Sequence, residues 1–307
     1  MSKREPVIAV VGSINMDLVV RARHIPAPGE TVLGEDFTTI PGGKGANQAV
    51  AAARLGASVM MIGRLGDDDF GDRLLQGLKA NNVDCRHVLR TASIASGVAM
   101  IVVAANGENA ITVASGANFH VTPADIDAAE SAIRAADVCV LQLELPIDTV
   151  VHTIQRCREW NIPTILDPAP APAGEVPSAL YGVDILTPNE SEARSLTGLA
   201  VDAAPKQIAE ALAKRGANRV VLKRGHEGAY AYEEGIGDLI PGFQVETVDT
   251  TAAGDAFTAA LAVARAEGQS LSEAVRFANA AGGLACTKHG AQPSMPTRDQ
   301  VARTVAG

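Results

Sequence analysis

The sequence predicts an α/β protein: a three-layer α/β/α domain with a mostly parallel central sheet, plus a small β-sheet lid. Three observations carry this. Short aliphatic runs alternate with helical patterns along most of the chain, the rhythm of βαβ units. Aromatic residues are only 3% of the 307 while hydrophobic residues are 47%, so the core is aliphatic and alanine-rich, as where helices pack on a sheet. Two segments break the rhythm with paired strand patterns, and these form the smaller sheet.

In chain order, "VIAVVGS" is a short apolar run ending at Gly12 and reads as a buried strand. Lys3 and Arg4 precede it, but Asn15 and Asp17 cut the apolar stretch and no small-residue cleavage site follows, so a strand is favoured over a signal peptide. "GANQAVAAARLGA" reads as a helix with Gly56 as its stop, "SVMMIGRLG" as a strand, and "DDFGDRLLQGLKANNV" as a helix with acids in its first turn. "DVCVLQLE", "PTILDP", "DILTPN" and "RVVLKRG" are four further buried strands. Residues Pro146 to Trp160 and Pro205 to Arg215 are helical stretches between them. "DPAPAPAGEVP" (Asp167 to Pro177) reads as a proline-rich surface loop. The predicted large domain is 1–15, 41–95 and 116–307. The predicted lid is 16–40 and 96–115, the second part a hairpin around "ANGEN". Four such strands would stand exposed unless they cover a site or pair with a second copy. Ornamental surface hairpins are the other reading.

Composition narrows the function classes. A net charge of −9 argues against nucleic-acid or membrane-surface partners. The uncharged run from Thr91 to Gly107 is too short and polar to span a membrane. Cys85, Cys139, Cys157 and Cys286 stand far apart with no CxxC pair, which predicts free thiols and a cytoplasmic protein. Six scattered histidines form no HExxH, which argues against zinc.

The chemistry concentrates in "VDTTAAGDAF" (Val248 to Phe257). After "VETVDTT" the pattern turns from strand-like to helix-like, so Ala252, Ala253, Gly254 and Asp255 fall at a helix N-terminus. Unpaired N–H groups there carry partial positive charge, and small residues let an anion approach them. Asp255 beside such an anion hole could take a proton from a hydroxyl attacking phosphorus, or could be a helix cap. No Walker A motif, no G-x-S-x-G elbow and no GxGxxG occurs. Gly42, Gly43 and Gly45 allow close backbone approach, and with Lys44 and Asn47 suit a small polyhydroxylated ligand or a tight turn. Asn15 and Asp17 lie two apart on one strand face and suit sugar hydroxyls. Asn189 and Glu192, three apart at a helix start, suit either a hydrated Mg²⁺ or a capping pair.

These pieces together resemble the PfkB/ribokinase family of carbohydrate kinases, over nearly the whole chain from "VVGSINMDLVV" to "KHGAQPSMP". The two signature regions are "GGKGANQAVAAARLGA" and "VDTTAAGDAF". The resemblance implies a ribokinase-like fold and transfer of the ATP γ-phosphate to the 5-hydroxyl of D-ribose. It implies Asp255 as base and Ala252, Ala253 and Gly254 as anion hole. Asn15, Asp17, Gly43, Lys44, Asn47 and Glu144 would bind sugar. Asn189 and Glu192 match the family's NxxE motif, linked to Mg²⁺ and phosphate. Lys223, Gly225, Gly228 and Asn279 match the nucleotide site, although Lys223 falls where the family often carries a small residue. Asp249, Thr251, Ala285, Lys288, Gly290 and Ser294 match a K⁺ loop, mostly through backbone carbonyls. A lid-mediated homodimer is implied too. Deoxyribose, a nucleoside or another sugar as acceptor, and a non-catalytic sugar-binding protein, remain alternatives. A nicotinamide dehydrogenase is disfavoured by the missing fingerprint.

Overall fold

The computed structural model describes residues 4–172, 174 and 176–307. Its first strand, β1 (Val7–Val11), is an unbroken aliphatic run, which only burial on both faces satisfies. The chain then leaves for β2 (Asn15–Ala22) and β3 (Gly34–Gly42) and returns through α1 (Lys44–Arg54), β4 (Ser58–Gly66), α2 (Asp69–Ala80) and β5 (Val83–Thr91). A second excursion, β6 (Gly97–Ala104) and β7 (Asn109–Ala114), precedes the short helices α3 (Pro123–Ala128) and α4 (Glu130–Arg134). Alternation resumes with β8 (Val138–Leu141), α5 (Ile147–Glu159), β9 (Thr164–Leu166), β10 (Ile185–Leu186), α6 (Glu190–Thr197), α7 (Pro205–Lys214) and β11 (Arg219–Lys223). The hairpin β12 (Gly228–Glu233) and β13 (Ile236–Pro241) follows. The helices α8 (Ala253–Ala266), α9 (Leu271–Ala285), α10 (Ala291–Ser294) and α11 (Arg298–Ala306) end the chain.

The main sheet has the order β13-β12-β11-β10-β9-β8-β1-β4-β5. From β11 to β5 every pairing is parallel, and the β12/β13 hairpin adds an antiparallel edge. Strand alternation divides the core in two. Ile8 and Val10 face a cluster with α1, α8 and α9, while Ala9 and Val11 face one with α5, α6 and α7. Helices α8 and α9 meet through buried alanines such as Ala256, Ala260, Ala274 and Ala278, so an aromatic-poor chain still packs densely.

Three sequence expectations need amendment. β5 carries no aliphatic run and so gives no strand signal, because an edge strand that is only half-buried needs none. The stretch "VETVDTT" forms no strand; the N–H groups of Val248 and Asp249 donate to the Cys286 carbonyl at the end of α9 instead. The proline-rich loop is not wholly on the surface, since Asp167, Pro168 and Ala169 are buried. Ala173 and Glu175 of that loop lie outside the described residues.

The smaller sheet has the order β3-β2-β6-β7, with β2 and β6 parallel and both outer pairs antiparallel. Its strands begin at Asn15 and reach Gly42, one or two residues wider than the predicted lid. Register puts Asp17, Ile40, Ala99 and Val113 on one face. Among the described residues no helix is long and apolar enough to cross a membrane.

Candidate active site

Side chains converge at the C-terminal ends of β1, β8, β9 and β11, where open α/β sheets bind ligands. Two glycines bring the first helix there. A Cβ on Gly45 would meet the Gly12 backbone at 2.6 Å, so the start of α1 rests directly on the end of β1. Gly43, the N-cap of α1, has φ +87, and a Cβ there would meet the Asn15 nitrogen at 2.6 Å. Only glycine fits that conformation and that gap. Lys44, Asn47 and Gln48 therefore project from the first turn of α1 into the site.

Asp255 lies in the first turn of α8, 5% exposed. No side chain caps this helix, so apart from the Ala253 N–H, which donates to the Thr250 carbonyl at 3.3 Å, its leading N–H groups are left for a ligand. Ala252, at its N-cap, is left-handed with φ +59, a strained setting for a residue with a Cβ. Asp255 Oδ2 accepts from Asn47 Nδ2 at 2.9 Å and Oδ1 from Gln48 Nε2 at 3.1 Å. Burial is the largest influence on its carboxyl and the Asp167 charge adds to it. Lys44, Asn47 and Gln48 oppose them, and the pKa stands at about 6. A carboxyl so poised can accept a proton near neutral pH.

On one side of Asp255 lies a polar cluster. Asn15 and Asp17 share the face predicted for them, and Asp17 is pushed up to about 7 by burial, then by Glu144 and Asp255. Glu144 Oε2 accepts from Ser13 Oγ at 2.5 Å, from Lys44 N at 3.3 Å and from Asn15 Nδ2 at 3.4 Å. Asn118 donates to Asn15 Oδ1 at 2.7 Å, which fixes that amide with its Nδ2 toward Glu144. Burial works against the Lys44 ammonium, but Asp255, Asp167, Glu144 and Glu192 outweigh it and raise its pKa. Asn47 Oδ1 is buried without a partner, an acceptor that a bound hydroxyl would satisfy.

On the other side lies a cavity of about 420 Å³. Lys223, Gly225, Gly228, Phe243, Gly254 and Asn279 are among its lining residues. Gly282 and Gly283 also line it. Asn279 donates to the carbonyls of Ile240 and Pro241, which ties α9 to the β13 edge. Lys223 Nζ pairs with Asp167 Oδ1 at 2.7 Å. Asn189 and Glu192 form a reciprocal capping box at the start of α6, the bland alternative the spacing allowed. Burial raises the Glu192 carboxyl, with Lys223 opposing.

The loop before α8 meets the loop after α9. Asp249 accepts from Thr251 N and Oγ1 and from Gly290 N, at 2.9, 2.6 and 2.9 Å. Ala285 ends α9, Lys288 follows it, and Ser294 donates to the Ala291 carbonyl. The hydrogen bonds of Asp249 thus join Thr251 and Gly290 of the proposed K⁺ loop, and the neighbouring Thr250 and Cys286 line the cavity.

The profile of the pfkB family carbohydrate kinases matches residues 6–298. The chain belongs to that family. It is 47% identical over 299 residues to the ribokinase of Bacillus subtilis strain 168, covering 96% of this chain and 97% of that one. It is 36% identical to the deoxyribokinase of Salmonella typhi, covering 95% and 96%. Its fold superposes on Arabidopsis thaliana ribokinase complexed with ribose and ATP with a TM-score of 0.87, at 33% identity, covering 99% of each chain.

Sequence reasoning missed five side chains that organise this pocket: Ser13, Gln48, Asn118, Gln142 and Asp167. The signal for Asp167 was its place directly after "TIL", at a strand end beside the others. Gln48 sits one residue beyond Asn47 inside a motif already marked. Ser13, Asn118 and Gln142 had no local signal, since only the fold brings them near Asp255.

Proposed function

We propose that this pfkB-family chain phosphorylates D-ribose at the 5-hydroxyl with ATP, giving ribose 5-phosphate and ADP. The observation that carries this reading is the position of Asp255, between the cluster of Asn15, Asp17, Lys44, Asn47 and Glu144 and the cavity lined by Lys223 and Gly254. Sugar and nucleotide would meet in line at the start of α8. Asp255 takes the proton of the 5-hydroxyl as its oxygen bonds to the γ-phosphorus, and the bond to the ADP oxygen breaks. The first-turn N–H groups of Gly254 and Asp255, joined by that of Ala253 once it gives up the Thr250 carbonyl, steady the charge on the transferred group. Asp17 and Glu144 accept from sugar hydroxyls, while Asn15, Lys44 and the Gly43 backbone complete that cradle. Gly225, Gly228 and Asn279 border the adenosine, and Lys223 the phosphates.

Mg²⁺ on the nucleotide would neutralise phosphate charge, with Glu192 and Asn189 reaching it through water, since Mg²⁺ keeps several waters and needs only one or two carboxylates. The oxygen donors around Asp249, Thr251, Ala285, Lys288, Gly290 and Ser294 suit K⁺, which would support the loop before the anion hole. The smaller sheet acts as a lid that excludes water. Its exposed Phe37, Met100, Ile111 and Val113 and its open β3 and β7 edges favour a homodimer formed through it. Cysteines that are all free among the described residues fit a cytoplasmic protein. Deoxyribose is the second acceptor to consider, because a deoxyribokinase is among the relatives, at lower identity.

The test is ADP release with ATP and Mg²⁺ against a panel of sugars and nucleosides, with and without K⁺. Ribose preferred and K⁺ stimulating is the expected result. Turnover of deoxyribose or a nucleoside alone would replace the acceptor. Sugar binding with no turnover would leave a binding protein.

A further inference from the structure

Behind Asp255 runs a chain of buried polar side chains. Gln48 Nε2 has two hydrogens: one goes to Asp255 Oδ1 and the other to Asp167 Oδ2, each at 3.1 Å. Gln48 Oε1 accepts from Gln142 Nε2 at 2.5 Å. The second oxygen of Asp167 accepts from Lys223 Nζ. Gln48 and Gln142 are fully buried and Asp167 is 1% exposed. A rotated Gln48 amide would aim its oxygen at two carboxylates, so its orientation, and the hold on Asp255, are fixed.

Packing alone does not explain this arrangement. A buried carboxylate beside a second one is unfavourable unless a cation is paired with it, and neutral side chains would fill the same space more stably. The paired cation is also placed for use. A Cβ on Gly254 would lie 3.6 Å from Lys223 Nζ, so the ammonium sits over the first turn of α8.

We propose that Asp167 is a positioning residue for phosphoryl transfer: through Gln48 it fixes the reacting carboxylate of Asp255, and through its ion pair it holds the Lys223 ammonium where the transferred phosphoryl group arrives. This rests on the kinase reading of the same site. Asp167 so couples the acceptor and donor halves of the pocket without touching either substrate.

The charged groups around Asp255 are Asp17 from β2, Lys44 from α1, Glu144 beyond β8, Asp167 beyond β9, Glu192 in α6 and Lys223 at the end of β11. Replacing Asp167 by Asn removes a negative neighbour and releases a cation, and both changes weaken Asp255 as a base. Replacing Lys223 by Met leaves the Asp167 charge uncompensated, which strengthens it. The two variants therefore act in opposite directions, which disordered packing would not produce.

The experiment is the pH profile of kcat/KM for ribose at saturating ATP and Mg²⁺ in the parent, Asp167→Asn and Lys223→Met. The acid limb should move down by about one pH unit in Asp167→Asn and up by about one in Lys223→Met. Limbs that stay put or move together overturn the proposal. The same displacements should appear in the ¹³C carboxyl titration of Asp255 in aspartate-labelled protein, its signal assigned by loss in Asp255→Asn. That readout needs no turnover. If the parent phosphorylates no sugar, the kinase reading falls, and the titration still decides whether Asp167 and Lys223 set the state of Asp255.

Discussion

Asp17→Asn should stabilise the protein at pH 8 and weaken sugar binding. Asp17 is 8% exposed, and its carboxyl is lifted from an ordinary 3.8 to about 7, first by burial and then by Glu144 and Asp255. A group whose folded-state pKa exceeds its unfolded value contributes stability that is fully present below the unfolded value. That contribution is lost as pH rises through the folded one. Above pH 7 the native state therefore carries an ionised, poorly solvated Asp17. A displacement of about three units corresponds to about 4 kcal/mol, at 1.36 kcal/mol per unit. Glu144 and Asp255 share that interaction, so roughly 2–4 kcal/mol should be recovered by the neutral amide. At about 2.1 cal/mol/K per residue of unfolding entropy, this raises Tm by roughly 3–6 °C. Thermal unfolding by circular dichroism at pH 8 and pH 4 checks it: the gain should be present at pH 8 and nearly absent at pH 4. Titration calorimetry should show ribose binding weakened, because an acceptor has become partly a donor. A gain independent of pH, or a loss at pH 8, would refute the reasoning.

Gly254→Ala should raise Tm by about 1 °C through helix propensity, since the new methyl meets only Lys223 Nζ, at 3.6 Å. It should lower kcat by about 10²-fold by covering the first-turn N–H groups; steady-state kinetics beside calorimetry reads both. Asp255→Asn should lower kcat by about 10²–10⁴-fold, the general-base range, with ribose affinity little changed; near-normal turnover would remove Asp255 from the mechanism. Raising tetramethylammonium chloride from 50 to 200 mM at fixed Mg²⁺ and K⁺ should leave the ATP KM unchanged or lower it by about twofold. An increase would mean that the pocket presents net positive charge.

The parts of the fold that sequence made legible were those with one dominant local cause. β1 and β4 are aliphatic runs, and α1 and α8 begin where glycine and small residues give way to helix formers. The parallel sheet followed from their alternation. β5 and β13 stayed hidden because edge strands mix polar and apolar residues without a strict period, and β12 between β13 and β11 is a short run of small and aromatic residues. The candidate site divides the same way. Asn47 and Asp255 lie in motifs, and the fold joins them across 208 positions by one hydrogen bond. Proline-rich composition makes Asp167 the start of a surface loop, yet it describes "PAPAP" and says nothing of the residue before it. Asn118 could not be read at all, since its role exists only where it touches Ile14 and Asn15.

The charge balance of the pocket constrains how any kinase reaction here proceeds. Asp17, Glu144, Asp167, Glu192 and Asp255 act on one another or on Lys44 within one small volume, and Lys44 and Lys223 are the ammonium groups opposing them. The chain as a whole adds a net charge of −9, so no long-range field draws a nucleotide in. A triphosphate would enter against this field unless three things meet it: helix N–H groups, the ammonium that Asp167 holds, and cations carried with the nucleotide or seated in the Asp249 loop. The acids are themselves eased by partial protonation, with Asp17 at about 7 and Asp255 at about 6. The proposed anion hole, built from backbone rather than lysine, fits such a pocket. A further lysine beside Asp255 would depress its proton affinity and weaken the base, whereas peptide N–H groups bring only partial charge. The burial and acidity that make the pocket costly to fold also raise the proton affinity of Asp255, the property its proposed role as base needs.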